Sequence, residues 1–285
     1  MLIDYFPALG LRLKTPRLEL RLPTEAELAE LAALAARGVH DPGTMPFCVP
    51  WTDLPPDELA RSVLQFHWRC RGSQTPGDWS LPFAVFLDGV VVGQQDVNAR
   101  NFAALREVST GSWLGLRHQG QGIGTEMRAA VLHLAFAGLD AVEATSGAFA
   151  HNAASLAVSR RLGYLPDGVD RRVVRDEVTL NCRLRLTRQR WEQHRTVEAT
   201  IAPSPDGRAA GTPRRQATVI ARRPVAQAVT IVHGPAAVSA PRPTCVTISA
   251  ATTQKYFSVA FIDGVSFSDS SGLLSGGICG SAPSC

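Results

Sequence analysis

The chain has 285 residues, 45% of them hydrophobic and 19% charged, with a formal net charge of +4. No apolar run reaches the ~18 residues a membrane span needs, so no membrane-embedded part is expected. From residue 201 on there are seven basic and three acidic residues, which carry the whole excess charge. Residues 1–200 therefore balance, and no basic face for nucleic acid is expected in them. Six cysteines are scattered without a C-x-x-C pair or metal-ligand spacing, which reads as free thiols in a reducing, cytoplasmic compartment, with no metal site. The N-terminal "MLIDYFPALG" carries an acidic residue and lacks a basic n-region, so it is not read as a secretory signal.

Taken in chain order, residues 11–22 alternate as a strand. Thr24 and Glu27 stand where a capping box would start a helix over 25–37, and a second helical pattern covers 56–71. "PFAVFLDGVVVGQQDV" reads as two β-rich runs joined by Asp88-Gly89, a hairpin signal. Residues 105–114 read as the next strand, 123–138 as a helix, 141–146 as a strand and 153–162 as a helix. Two β-rich runs follow at 171–176 and 177–186. This order predicts an α/β fold with a mixed sheet.

The most informative stretch is "GLRHQGQGIGTEMRAAVLHLAF", residues 115–136. Gly120, Gly122 and Gly124 precede a helical apolar face made by Ile123, Met127, Ala130, Val131 and Leu134. The first N–H groups of a helix lack partners inside it and carry partial positive charge. Glycines beside that end admit a phosphate close to the backbone. Residues Gln119, Gly120, Gln121, Gly122, Ile123, Gly124 and Thr125 are thus candidates for an anion-binding loop. A glycine-rich turn that only connects a strand to a helix has the same composition. The stretch is neither a P-loop, since it has no Lys, nor a dinucleotide fingerprint, since Thr125 stands at its last glycine position.

The surrounding run settles the comparison. Gln119-x-x-Gly122-x-Gly124 follows Trp113-Leu114 and opens a long helix. Asn152-x-x-Ser155 and then Leu162-Gly163-Tyr164 come later, and "LKTPRLELRL" stands near the start. In this order and spacing, residues 11–195 resemble the GNAT superfamily of N-acetyltransferases, in particular its RimJ/RimL-like branch. The resemblance implies a mixed, mostly antiparallel twisted sheet with splayed central parallel strands, flanked by helices. It implies acetyl-CoA as co-substrate, gripped at its pyrophosphate by residues 119–125. It also implies a backbone N–H near Leu114–Leu116 that polarises the thioester, and contacts to the pantetheine arm from Asn152, Ser155 and Ser159.

Many relatives carry a Tyr acid where this chain has Ser159. In the RimL-like branch the Ser of N-x-x-S is the proposed proton donor, so the resemblance points to Ser155, although a hydroxyl there also helps to start a helix. Glu107 is the candidate base. Relatives place a Glu two residues later on this strand, and a solvated surface charge is the other reading of Glu107. Asp96 is a weaker candidate, and a neutral amine would need no base. The proline-rich "HDPGTMPFCVPWTDLPP", residues 40–56, is expected to wall the acceptor pocket through Phe47, Trp51 and Asp53, with Asp41 also able to receive an amine. A packed surface loop is the plainer alternative.

The expected domain spans 1–195, followed at 196–285 by an Ala/Pro/Thr/Ser-rich basic tail, a poorly ordered extension expected to be largely disordered. The expected function is N-acetyl transfer from acetyl-CoA to a primary amine, on a protein N-terminus or a small molecule, by a monomer or homodimer. A non-catalytic acyl-CoA-binding or sensor module is the alternative class.

Overall fold

The computed structural model describes residues 2–202. A short helix α1 (Leu2–Tyr5) leads into β1 (Arg12–Lys14) and β2 (Leu18–Arg21). The single strand expected over 11–22 is thus two, folded back antiparallel with Arg12 opposite Arg21. Pro16 supplies no N–H to a ladder. Thr15 closes the turn instead, its N–H donating to the Leu18 carbonyl at 2.9 Å and its hydroxyl oxygen accepting from Leu18 N at 3.0 Å.

Helix α2 (Glu25–Ala36) begins with the capping box of Thr24 and Glu27. Then come α3 (Pro56–Gly72), β3 (Trp79–Leu87) and β4 (Val90–Ala99). Asp88 and Gly89 turn the hairpin with φ of +50° and +79°, as a tight two-residue turn requires. Helix α4 (Phe102–Leu105) and strand β5 (Glu107–Leu114) precede α5 (Ile123–His133), which continues into a wider π turn at Leu134–Gly138. Strand β6 (Glu143–Phe149), helix α6 (Ala153–Arg161), the hairpin β7 (Leu165–Val174) and β8 (Glu177–Thr187), helix α7 (Arg188–His194) and strand β9 (Thr200–Ala202) complete the order. Strand β9 lies beyond the expected boundary at 195 and pairs with β1. The rest of the basic tail, from 203 on, is outside the described residues.

One sheet runs β7-β8-β6-β5-β4-β3-β2-β1-β9. Its neighbours are antiparallel except for β5 and β6. Those two pair only from Glu107–Ser109 to Glu143–Thr145. Beyond that point β5 follows β4 as far as Leu114, and β6 follows β8 as far as Phe149. The two strands diverge and leave a wedge. A bulge in β4 supports this: the register shifts against Val85 and Phe86, and a Cβ at Gly93 would collide with the Trp113 carbonyl. Only glycine lets β5 lie so close there.

Both faces of the sheet are covered at β3, and that strand is apolar on both sides. On β3, Phe83 and Val85 join the core under α5 and α7, with Met127, Phe136 and Trp191. Ala84 and Phe86 join the core under α2 and α3, with Leu31, Val63 and Trp113. Fully buried Phe83 and Phe136 each contribute about 1.5–3 kcal/mol of apolar burial. This two-sided anchoring fixes the strand ends from which the site is built.

Candidate active site

A cleft of about 830 Å³ fills the wedge. The end of β5, the loop before α5, the end of β6, the start of α6 and the loop after α2 line it.

The glycine loop lies at one end. Gly120 and Gly122 have φ of +73° and +78°, where side chains are strained. The N–H groups of residues 120–124 have no backbone acceptor among the described residues. They form a cradle at the positive end of α5. Gly120, Gly122, Gly124 and Thr125 line the cleft, as do Gln119, Leu114 and Leu116. The amide of Gln119 donates to the carbonyls of Val39 (2.7 Å) and Leu114 (2.9 Å), so its side chain ties the loop to its surroundings. The Gln121 side chain bonds the Arg117 carbonyl at 2.8 Å and does not line the cleft, and the Ile123 side chain is in the core. What these two residues bring to the cradle is backbone N–H.

The sequence motifs missed a clamp under this loop. Glu126 in the first turn of α5 accepts from Thr15 Oγ1 (2.6 Å), Arg17 N (3.0 Å) and Arg17 Nε (2.7 Å). Arg17 also donates to the Gln121 carbonyl at 3.2 Å. The "TPR" near the N-terminus therefore anchors the loop from the β1–β2 turn. Burial opposes ionisation of Glu126, but the bonds from Thr15 and Arg17 outweigh it and hold the carboxyl below its usual range.

Along the opposite wall, Asn152 caps α6, its side-chain oxygen accepting from Ser155 N at 3.0 Å. Asn152 and Ser155 both line the cleft. The Ser155 hydroxyl has no hydrogen-bond partner among the described residues. Ser159, expected to reach the same ligand, is fully buried and off the cleft: its hydroxyl donates to the Ser155 carbonyl at 3.1 Å and accepts from Arg128 Nη1 at 2.8 Å. Tyr164 is buried in the core cluster, bonded to Thr110 Oγ1 at 3.5 Å.

Three expected residues lie elsewhere. Glu107 is at the closed end of the wedge, where β5 and β6 still pair, and it accepts from Arg185 Nη1 at 2.6 Å. That arginine also bonds Glu143 and Asp167. A carboxylate so held and absent from the cleft wall is not placed to take a proton there. Trp51 is buried and packs on Trp113, with ring centroids 5.9 Å apart. Asp53 is off the cleft in an ion pair with Arg175, at 2.9 and 2.6 Å.

Phe47 does line the cleft, with Asp41, His40 and Cys48 from the same loop. His151 and Asn181 complete that end. His40 is engaged at both ring nitrogens, by the Asp41 carbonyl (2.8 Å) and Thr52 Oγ1 (2.7 Å). Asp96 is buried outside the cleft lining, where its carboxyl accepts from Gln94 Nε2 at 2.8 Å. Gln94 in turn bonds His67 Nε2 at 2.8 Å. Among the described residues, no group of His, Cys, Asp or Glu is arranged to hold a metal ion, and no helix is long and apolar enough to cross a membrane.

A helix N-terminus that opens a glycine loop into the gap between two diverging parallel strands defines the acetyltransferase class of α/β fold. The chain matches the acetyltransferase (GNAT) domain family over residues 17–165 and belongs to that family. Similar solved structures include a GCN5-related N-acetyltransferase from Brucella melitensis, 18% identical, with a TM-score of 0.51 over 65% of this chain and 81% of that one. Another is Mycobacterium smegmatis RimJ in complex with CoA-disulfide, 20% identical, with a TM-score of 0.48 over 66% of this chain and 94% of that one. At its identity the likeness to the Brucella melitensis structure bears on the fold alone.

Proposed function

We propose that this chain is an N-acetyltransferase that moves the acetyl group of acetyl-CoA to a primary amine, by direct transfer while both substrates are bound. One observation carries the reading: a single cleft joins the N–H cradle of residues 120–124, the unpaired edge of β5 and the Ser155 hydroxyl to the loop that holds Phe47 and Asp41.

In this reading the pyrophosphate of acetyl-CoA lies on the N–H groups of Gly120–Gly124, and Asn152 meets the pantetheine arm. Binding so far from the chemistry orients the thioester. A backbone N–H near Leu114 polarises the thioester oxygen, a small charge stabilised where water is excluded. The amine enters from the end lined by Phe47, Asp41 and His151, attacks the carbonyl carbon and displaces sulfur. Ser155 offers a proton to the sulfur. No Cys nucleophile is invoked. The carboxylate of Glu107 is occupied elsewhere, so the amine reacts in its neutral form or loses its proton to groups at the acceptor end. The acceptor is a protein N-terminal amine or a small-molecule amine.

A thiol-release assay of the full chain with acetyl-CoA tests this. The panel holds short peptides beginning with Ser, Ala, Met or Asp, together with aminoglycosides, polyamines and free amino acids. Turnover on one class supports the reading and names the acceptor. CoA binding with no turnover on any of them favours a non-catalytic acyl-CoA-binding module.

A further inference from the structure

The cleft contains a buried cation without a counter-ion. Arg128 stands on α5, one helical turn after Gly124, and is 4% exposed. It lines the cleft. Its Nη1 donates to Ser159 Oγ at 2.8 Å and its Nη2 to Ser112 Oγ at 3.4 Å, while its buried Nε has no partner. No carboxylate pairs with it among the described residues. The other titratable group facing it is Tyr164, whose buried phenol is pushed up. The remaining titratable groups of the cleft wall, His40, Asp41, Cys48, His151 and Arg161, come from other segments.

A guanidinium does not give up its proton at ordinary pH. Burial of an unpaired cation costs several kcal/mol, a cost that an anion arriving in the cleft would offset. The phosphates have their own cradle at residues 120–124. The chemistry produces one further anion. When the amine nitrogen forms its bond to the carbonyl carbon, the carbon–sulfur bond breaks, the electron pair stays on sulfur, and the amine proton leaves to solvent. The Ser159 hydroxyl, standing where relatives carry a Tyr acid, has already given its hydrogen to the Ser155 carbonyl. It cannot protonate that sulfur.

We propose that the Arg128 guanidinium is the electrostatic partner of the departing thiolate, taking over charge stabilisation from the absent Tyr acid. This rests on the proposed reading of the cleft as the acetyl-CoA site. Arg128 lies on the same side as Ser155, bridged to it through Ser159. With a cation there, sulfur leaves as an anion, and the Ser155 hydroxyl beside it meets that anion as a hydrogen-bond donor rather than by complete proton transfer.

The test uses the full chain and CoA itself. Ultraviolet thiolate absorbance is titrated with pH for free CoA and for CoA bound to wild type, Arg128→Met and Arg128→Lys. The acid ionisation constant of the thiol bound to wild type should exceed that of free CoA at least about tenfold. Arg128→Met should abolish most of this increase, and Arg128→Lys should restore part of it. A wild-type complex whose thiol titrates like free CoA overturns the inference without reference to any variant. So does an increase that survives in Arg128→Met. Calorimetry on the wild-type chain separates the two levels. Absence of CoA binding overturns the reading of the cleft and the inference with it, whereas binding with an unperturbed thiol overturns the inference alone.

Discussion

Glu107 Oε2 accepts a hydrogen bond from Arg185 Nη1 at 2.6 Å, at the closed end of the wedge between β5 and β6. The pair links β5 to β8 across β6, the other parallel strand. Burial and the carboxylates of Asp167, Glu107 and Glu143 act on Arg185 together, and the carboxylates raise its pKa. The bond gives Glu107 a structural part at the base of the splay.

Glu107→Gln should therefore keep kcat/KM within about twofold and leave the pH profile of turnover unmoved, at a cost of about 0.5–1 kcal/mol for a partly exposed pair. Steady-state kinetics across pH, beside urea unfolding, checks both halves. A large kcat loss with unchanged stability would return Glu107 to the role of base.

The clamp of Thr15 and Arg17 on Glu126 predicts that the glycine loop depends on residues distant in sequence. Glu126→Gln should cost about 1.5–3 kcal/mol, the range for bonds to a charged group, and should weaken CoA binding although Glu126 is not assigned to the ligand. Because the folded-state pKa of Glu126 is depressed, its contribution is present above the unfolded carboxylate range and is lost as pH falls below it. Wild type should lose this stability on acidification and Glu126→Gln should not, as denaturant titrations at stepped pH would record.

The buried chain His67–Gln94–Asp96 predicts two opposed pH slopes. Burial pushes Asp96 up to about 7, against the bond from Gln94. Between about pH 4 and 7 the folded chain keeps a proton that the unfolded chain has lost, so stability falls as pH rises through that window. Burial pushes His67 down to about 4, against its bond to Gln94. The unfolded chain therefore gains a proton below about 6.5 that the folded chain does not take, and stability falls as pH drops. Asp96→Asn removes the first slope and keeps the Gln94 bond to an acceptor oxygen. Above pH 7 the variant should be more stable than wild type by on the order of 2–4 kcal/mol, and its stability should rise more steeply with pH from 4 to 6.5. Identical profiles for the two proteins would contradict this.

Much of the scaffold could be read from local pattern. Thr24 and Glu27 cap a helix within one turn, Asp88-Gly89 turns a hairpin within two residues, and Gly120 and Gly122 stand, at positive φ, just before the helix their pattern announced. Such features depend on neighbours in sequence. Trp51, Asp53 and Glu107 were misplaced because their roles depend on partners far along the chain, namely Trp113, Arg175 and Arg185. A tryptophan in a proline-rich loop looks the same whether it walls a pocket or packs on a sheet. Arg128 had one available signal, a cation four residues after Gly124 on the same helix face. Its burial and missing counter-ion emerge only when β5 and α6 are brought against it.

The central claim is that the cradle before α5 binds the phosphates of CoA, and calorimetric titration of CoA into the full chain and into Gly124→Trp tests it most directly. A Cβ at Gly124 would meet only Val158 Cγ2, at 3.7 Å, so the indole should enter the cleft and leave the core intact. Wild type should bind one CoA per chain. The variant, with unchanged circular dichroism, should bind at least about 100-fold more weakly, a loss of ~2.7 kcal/mol. Equal affinity in the two proteins would place the CoA site elsewhere and contradict the account.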